Sequence, residues 1–221
     1  MLKHEKNGLF ISIEGPDGAG KTTQARLLKT RLENLGVEVF LTREPGGTPV
    51  GEEIRKLLLN PEYSEMTVAC EVLLYSAARA QLVRQLINPS LKKGRVVISD
   101  RYLDSNIVYQ GFGGGESPEI IEKINLWAAG GLMPEITFLL DLDAQTGLKR
   151  LQEGDKSGKW QGDRVEQKGL DYHCRVRQGY LELAGRSSGR IVIIEAGGNS
   201  DAVHEKIWQL TEPLLRKKNL L

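Results

Sequence analysis

Residues Gly15 to Thr23 read GPDGAGKTT, and the first eight fit G-x-x-x-x-G-K-[ST], the spacing of a loop that wraps nucleotide phosphates. The run lies between the apolar, β-rich LFISI and the helix-patterned KTTQARLLKTRL, which is the context such a loop requires. Gly15, Gly18 and Gly20 let backbone N–H groups turn inward, and the helix start adds partial positive charge. Lys21 is placed to reach the β- and γ-phosphates, and the Thr22 hydroxyl to ligate Mg²⁺. A plain glycine turn explains neither residue. Asp17 is the oddity, a carboxylate inside an anion-binding loop; by residue type alone it favours the local bend.

Other constellations follow along the chain. ISDRY (Ile98–Tyr102) ends an apolar run with an acid and an arginine. Asp100, at the carboxyl end of a strand, is placed to hold the hydration shell of Mg²⁺, and Arg101 can grip a phosphate through paired N–H groups. LLYSAAR sets Tyr75 and Arg79 four apart on one helix face, suited to stacking a base and bonding its edge. Taken alone, that pattern more often means a core tyrosine and a surface arginine. DSNIVYQG repeats the spacing with Ser105 and Tyr109, and with Asn106 and Gln110. TREPGGTPVGEEIR offers Arg43, Glu44 and Arg55 around a Pro-Gly-Gly turn, and by itself reads as a turn with solvated charges.

A nucleotide site fits several function classes. The N-K-x-D base reader of a GTPase switch is absent. A kinase for a small nucleotide or nucleoside acceptor needs a second site, and the residues just named supply one. A nucleotide-dependent binding switch without acceptor chemistry is the rival class, separated by whether ATP turnover needs an acceptor.

The elements that must position these residues alternate. Strands are expected at Leu9–Ile13, Val37–Thr42, Arg95–Ser99, Ile136–Leu142 and Arg190–Glu195. Helices are expected at about Gly20–Leu35, Met66–Ile87, Pro118–Ala129, Ala144–Gln152, Val165–Leu183 and Asp201–Leu210. Ser117 and Asp143 are candidate helix caps. Strands apolar on both faces, separated by helices, predict an α/β fold with a parallel sheet covered on two sides. The polar, Gly-rich EGDKSGKWQGDR (Glu153–Arg164) has no period and is expected to be either a surface loop or a lid over a ligand.

Bulk properties agree. The 221 residues suffice for one sizeable core, and 30 basic against 29 acidic residues give a net charge of +1. No global field draws the chain to nucleic acid or a membrane, so anions must be held locally. No apolar run can span a bilayer, and the opening MLKHEKNG lacks a signal-peptide core. With two cysteines, Cys70 and Cys174, and no zinc-site spacing, the expectation is a reduced, cytoplasmic protein.

The runs GPDGAGKTTQ, TREPGGT, GEEIR, LLYSAARAQ, DRYLDSNIVYQG and DRVEQKGLDYHCRVRQGYLELA stand in the order found in bacterial thymidylate kinases, and the chain resembles that family from about Leu9 to its last helix. The resemblance implies transfer of the ATP γ-phosphoryl group to dTMP, giving dTDP for dTTP biosynthesis, with Mg²⁺. It also implies a P-loop, nucleoside-monophosphate-kinase-like fold in one domain spanning 1–221, with a five-stranded parallel sheet, a short lid at about 153–164, and a homodimer. It assigns ATP to Gly15, Pro16, Asp17, Gly18, Ala19, Gly20, Lys21, Thr22 and Thr23, and the metal to Thr22 and Asp100.

The dTMP phosphate would fall to Arg43 and Arg101, with Glu44 and Arg55 lining the pocket. Tyr75, a position more often phenylalanine, would stack on thymine. Arg79 and Gln110 would read its polar edge, helped by Ser105 or Asn106, and Tyr109 would crowd the 2′ position. Asp17 would turn from the ATP phosphates to bond the 3′-hydroxyl of the acceptor sugar. Some members carry an arginine in the phosphate loop; Gly18 stands at that place here, so this chain resembles members with arginines in the lid. Arg164 is the first choice for the transferring phosphoryl group, beside Lys21 and Arg101, and Arg150 the second. Lys156, Lys159 and Trp160 lie between them.

Overall fold

A computed structural model describes residues 8–154 and 162–221. Lys156, Lys159 and Trp160 lie outside the described residues. Five strands, β1 (Leu9–Glu14), β2 (Val39–Arg43), β3 (Val96–Asp100), β4 (Ile136–Asp141) and β5 (Ile191–Glu195), form one all-parallel sheet in the order β2-β3-β1-β4-β5. Between them run α1 (Lys21–Asn34), α2 (Pro49–Leu59), α3 (Val68–Leu82), α4 (Asn88–Lys92), α5 (Leu103–Asn106), α6 (Pro118–Ala128), α7 (Ala144–Gly154), α8 (Leu170–Arg186) and α9 (Ser200–Lys217). Wider π turns at Val83–Ile87 and Ile107–Gly113 extend α3 and α5.

Strand alternation divides the core between two faces. Leu9, Ile11 and Ile13 pack with Leu28 of α1 and Ile207 of α9, whereas Phe10 and Val97 turn the other way, toward Val72, Leu82 and Ile121. A third cluster joins Val108 and Tyr109 to Tyr172, Val176 and Tyr180 of α8. The register decides where chemistry can gather. Asp100 lies opposite Ile13 on one side and Arg43 on the other, so the carboxyl ends of β1, β2 and β3 converge.

All five expected strands form, each shifted by no more than two residues at an end. Ser117 accepts the Ile120 N–H at 3.3 Å and Asp143 the Thr146 N–H at 3.0 Å, capping α6 and α7. Three readings need correction. The stretch that by itself reads as a turn with solvated charges continues into α2: Thr48 accepts the Gly51 N–H at 3.0 Å and Pro49 fills the first turn, where its missing donor costs nothing. The helix expected from Val165 starts at Leu170, because Asp163 Oδ1 ties up the N–H groups of Val165 and Glu166 in a separate turn and Gly169 is extended. The last helix runs on past Leu210 and through Pro213, held by Thr211 and Leu215, which are fully buried.

Candidate active site

The phosphate loop follows β1, which lies in the middle of the sheet. Gly15, Gly18 and Gly20 have φ of 146°, 75° and 90°, a region open to glycine at little cost. Helix α1 has no side-chain cap at its start, so its leading N–H groups face the loop unclaimed by a side chain. Lys21 is buried and its Nζ donates to Pro16 O at 2.7 Å, closing the loop on itself. Burial, with Arg101 nearby, lowers the Lys21 ammonium to about 8 despite Asp17, Asp100 and Glu14 around it. The Thr22 hydroxyl donates to Asp100 Oδ2 at 2.5 Å, so the two oxygens assigned to a metal do meet.

Gly18 has no room for a side chain. A Cβ there would fall 2.1 Å from the Gly147 carbonyl oxygen, and one on Gly147 would fall 2.2 Å from Asp17 O. Helix α7 is therefore seated directly on the loop. From it Arg150 reaches the carbonyls of Ala196 and Gly197, both at 3.1 Å.

Asp17 Oδ1 pairs with Arg101 Nη2, and Lys21 Nζ lies 4.0 Å from the same oxygen. The other Asp17 oxygen accepts the Tyr109 hydroxyl at 2.9 Å, and His173 Nδ1 lies 3.9 Å away. Burial works to raise its pKa, but Arg101, Lys21 and the Tyr109 bond outweigh it and the carboxyl titrates below its ordinary value. Arg101 adopts φ 69°, an uncommon conformation for a non-glycine residue, which turns its guanidinium to Asp17, Ser105 and Tyr109. Behind it sits Glu14, fully buried, accepting from Tyr102 N–H (2.6 Å), Ser105 (2.5 Å) and Tyr180 (2.9 Å). Burial, reinforced by Asp104, raises Glu14 to about 7.

A cavity of about 470 Å³ opens over these groups. Of the site residues expected from sequence, all line it except Gly15, Pro16, Ala19 and Arg164. Arg43 and Arg55 stand on one wall; Arg43 pairs with Glu52 at 2.8 Å, and Arg55 donates to Pro45 O at 3.1 Å beyond the cis Glu44–Pro45 bond. Arg79 is buried, held by Glu44 (2.6 Å) and Asn125 (2.5 Å). Tyr75, Asn106 and Gln110 complete that wall.

Arg164 does not reach the cavity: its Nε donates to Leu58 O at 2.9 Å and its Nη1 to Glu71 at 2.6 Å, both under cover. In its place Asp163 and Glu166 line the opening. Asp163, Glu166, Glu14 and His173 do not stand out in the sequence as site residues, although all but Glu14 lie in the run DRVEQKGLDYH. A carboxylate at the buried end of an apolar strand, in ISIEG, was the available signal for Glu14.

Few protein oxygens are needed to hold Mg²⁺ beside a nucleotide, since phosphates and water supply most of its ligands. The hard oxygens of Thr22 and Asp100, meeting at the cavity wall, fit that role.

A protein-family model described as thymidylate kinase matches residues 13–207. The chain is 45% identical over 208 residues to the thymidylate kinase of Pelotomaculum thermopropionicum, covering 94% of each. It is 46% identical over 201 residues to that of Deinococcus radiodurans, covering 91% of this chain and 95% of the other. The crystal structure of thymidylate kinase from Ehrlichia chaffeensis superposes with a TM-score of 0.76 at 31% identity, covering 93% of this chain and 99% of that one.

Proposed function

The chain belongs to the thymidylate kinase family, and from that premise we propose how its cleft carries out the ATP-dependent phosphorylation of dTMP to dTDP. The observation that carries the reading is the position of Asp17. It sits in the donor loop yet is turned to Arg101 and Tyr109 on the acceptor side. One short loop thus fixes both substrates, and phosphoryl transfer depends mainly on such positioning and on electrostatics.

ATP phosphates lie along Gly15–Thr23, against the free N–H groups of α1 and Lys21. The dTMP phosphate lies among Arg43, Arg55 and Arg101. Its sugar meets Asp17 through the 3′-hydroxyl, and the Tyr109 ring fills the 2′ side. Tyr75 stacks on thymine while Arg79, fixed by Glu44 and Asn125, offers its remaining N–H groups to a carbonyl oxygen. Asn106 and Gln110, with Ser105 nearby, complete the base pocket.

In the transfer, an ionised oxygen of the dTMP phosphate gives its lone pair to the γ-phosphorus. The bond from that phosphorus to the β–γ bridging oxygen breaks, and the electron pair leaves with ADP. The acceptor oxygen is already deprotonated near neutral pH, so no strong base is required. Lys21, Arg101 and Arg150 spread the negative charge. Arg150, which lines the cleft, takes this role rather than Arg164, which is turned to Glu71 and Leu58 O outside it. Thr22 and Asp100 would hold Mg²⁺, which when bound neutralises charge on the phosphate oxygens.

One domain, with a lid expected at about 153–164, of which 155–161 lie outside the described residues, works as a homodimer in the cytoplasm on this proposal. Leu73, Ile120 and Trp127, exposed on the adjoining helices α3 and α6, support a self-association surface. No helix among the described residues is long and apolar enough to cross a membrane. A coupled ADP-release assay with ATP–Mg²⁺ against dTMP, dUMP, UMP, dCMP, AMP and thymidine tests the reading. Turnover led by dTMP and weak with UMP is expected. Turnover led by another acceptor overturns the base pocket, and acceptor-independent hydrolysis overturns the kinase.

A further inference from the structure

We propose that Glu71, which does not line the cleft, is a positioning residue that sets the hydrogen-bond polarity of the base pocket through Gln110 and Asn106. This inference rests on the acceptor reading above and deepens it. Glu71 projects from α3 and is 1% exposed. Its Oε1 accepts from Arg164 Nη1 at 2.6 Å and Lys168 Nζ at 3.3 Å; its Oε2 accepts from Gln110 Nε2 at 2.7 Å. Burial works against the ionised form, but the bonds from Gln110 and Arg164 and the Lys168 charge prevail and hold the carboxyl below its ordinary pKa.

An ionised carboxylate only accepts hydrogen bonds. Gln110 must therefore turn its NH₂ toward Glu71, which leaves its carbonyl oxygen facing Asn106. Asn106 must in turn donate from Nδ2, and it does so at 2.8 Å. Its Oδ1 is then the free end of the relay. That oxygen is buried and bonds to no described protein atom, on a side chain that lines the cleft. Reversing both amides would set the Gln110 carbonyl oxygen against the Glu71 carboxylate, two acceptors with no proton between them.

A free acceptor at this place selects for a base that donates. Thymine and uracil carry a proton on N3 and can give it to Asn106 Oδ1. Cytosine presents a lone pair at N3 and leaves two acceptors facing each other, a buried mismatch worth about tenfold or more in binding. The identity of the accepted pyrimidine thus depends on a charge one layer behind the pocket, and that charge is kept ionised by Arg164 and Lys168.

Steady-state kcat/KM for dTMP and dCMP in the wild-type chain, Glu71→Gln and the double variant Glu71→Gln/Gln110→Glu tests the relay. In Glu71→Gln the new carbonyl oxygen stays with Arg164 and the new NH₂ faces Gln110, so both downstream amides reverse. The dCMP-to-dTMP ratio should rise by about tenfold or more. In the double variant the carboxylate has moved to position 110, where it accepts both from the amide at position 71 and from Asn106. The ratio should then return toward the wild-type value. A packing role alone lowers both substrates by one factor, so an unchanged ratio in Glu71→Gln, or no recovery in the double variant, overturns the relay. Should Glu71→Gln fail to melt cooperatively, Gln110→Leu cuts the relay while leaving the Glu71–Arg164 pair; an unchanged ratio there overturns it equally. A wild-type chain that does not prefer dTMP to dCMP overturns the acceptor reading itself, and the relay with it.

Discussion

Asp17 and Arg101 form an ion pair that joins the phosphate loop to the carboxyl end of β3, with the Tyr109 hydroxyl bonded to both partners, 2.9 Å from Asp17 Oδ2 and 3.1 Å from Arg101 Nη2. A loop built to hold an anion tolerates a carboxylate because that carboxylate is paired with a guanidinium at the carboxyl end of the neighbouring strand. The pairing fixes the direction of both side chains before any substrate arrives, which is the preorganisation a positioning enzyme needs.

Seating α7 on the phosphate loop requires glycine on both sides. Gly147→Ala would drive a methyl group into Asp17 O, 2.2 Å away, and neither backbone can yield without moving the other. ATP affinity should fall by about tenfold or more, with a lowered melting temperature. Calorimetric titration of a non-hydrolysable ATP analogue measures the first, and a thermal melt the second. Wild-type values for both would mean that α7 does not support the loop.

Arg150 and Arg164, on either side of residues 155–161, should part company in kinetics. Arg150→Ala removes a cleft-lining charge and should lower kcat by roughly a hundred- to a thousandfold with the fold intact. Arg164→Ala leaves Glu71 buried with one cation fewer, so its main effect should be on the urea midpoint, a loss of about 3 kcal/mol or more. The reverse pattern would restore Arg164 to the reacting phosphate.

Arg79 and Glu44 are 1% and 5% exposed. Truncating either strands a buried charge, so Arg79→Ala and Glu44→Ala should each cost about 3–5 kcal/mol in urea unfolding. Exchanging both for apolar residues of similar volume, Arg79→Met with Glu44→Leu, should recover part of that loss while abolishing dTMP turnover. A double variant as unstable as the sum of the singles would contradict the pairing.

Glu14 makes stability depend on pH in a definite direction. Its folded pKa of about 7 lies above the ordinary 4.5, so the folded chain holds its proton more tightly than the unfolded one. The contribution is fully present below 4.5 and is lost as pH rises through 7. Glu14→Gln removes this term, so the variant's stability relative to wild type should climb between pH 5 and pH 8. Denaturant titrations at the two pH values measure it, and a relative stability that falls across that window would contradict the raised pKa.

The sheet was legible from sequence because its strands are apolar on both faces, a pattern helices of this length do not share; Leu9–Ile13 and Ile136–Leu142 differ from β1 and β4 by one residue each. Helix α2 was not, because its strongest local signal, Pro-Gly-Gly, belongs to the turn before it, and the Thr48 cap is silent until its partner is known. Lys21 and Thr22 of the phosphate loop were readable from spacing alone, whereas Asp17 by its type reads only as a turn former. Site residues brought in by the fold were harder. Glu71 lies four residues before Tyr75 on the same helix, yet nothing local ties it to Gln110 or Arg164, which reach it only through tertiary packing. The same packing keeps Arg164 out of the cleft lining, an outcome that the charge-rich run Glu153–Arg164 does not betray.

The most direct test of a loop that holds donor and acceptor together is the kinetics of Asp17→Asn with dTMP and with 3′-deoxy-dTMP. Both substrates should slow, since Arg101 loses its counter-charge. The account predicts that kcat/KM for dTMP falls at least about tenfold further than for the 3′-deoxy analogue, which has no hydroxyl to lose its acceptor. Equal losses on the two substrates would contradict the sugar contact and return Asp17 to the role of a turn residue paired with Arg101.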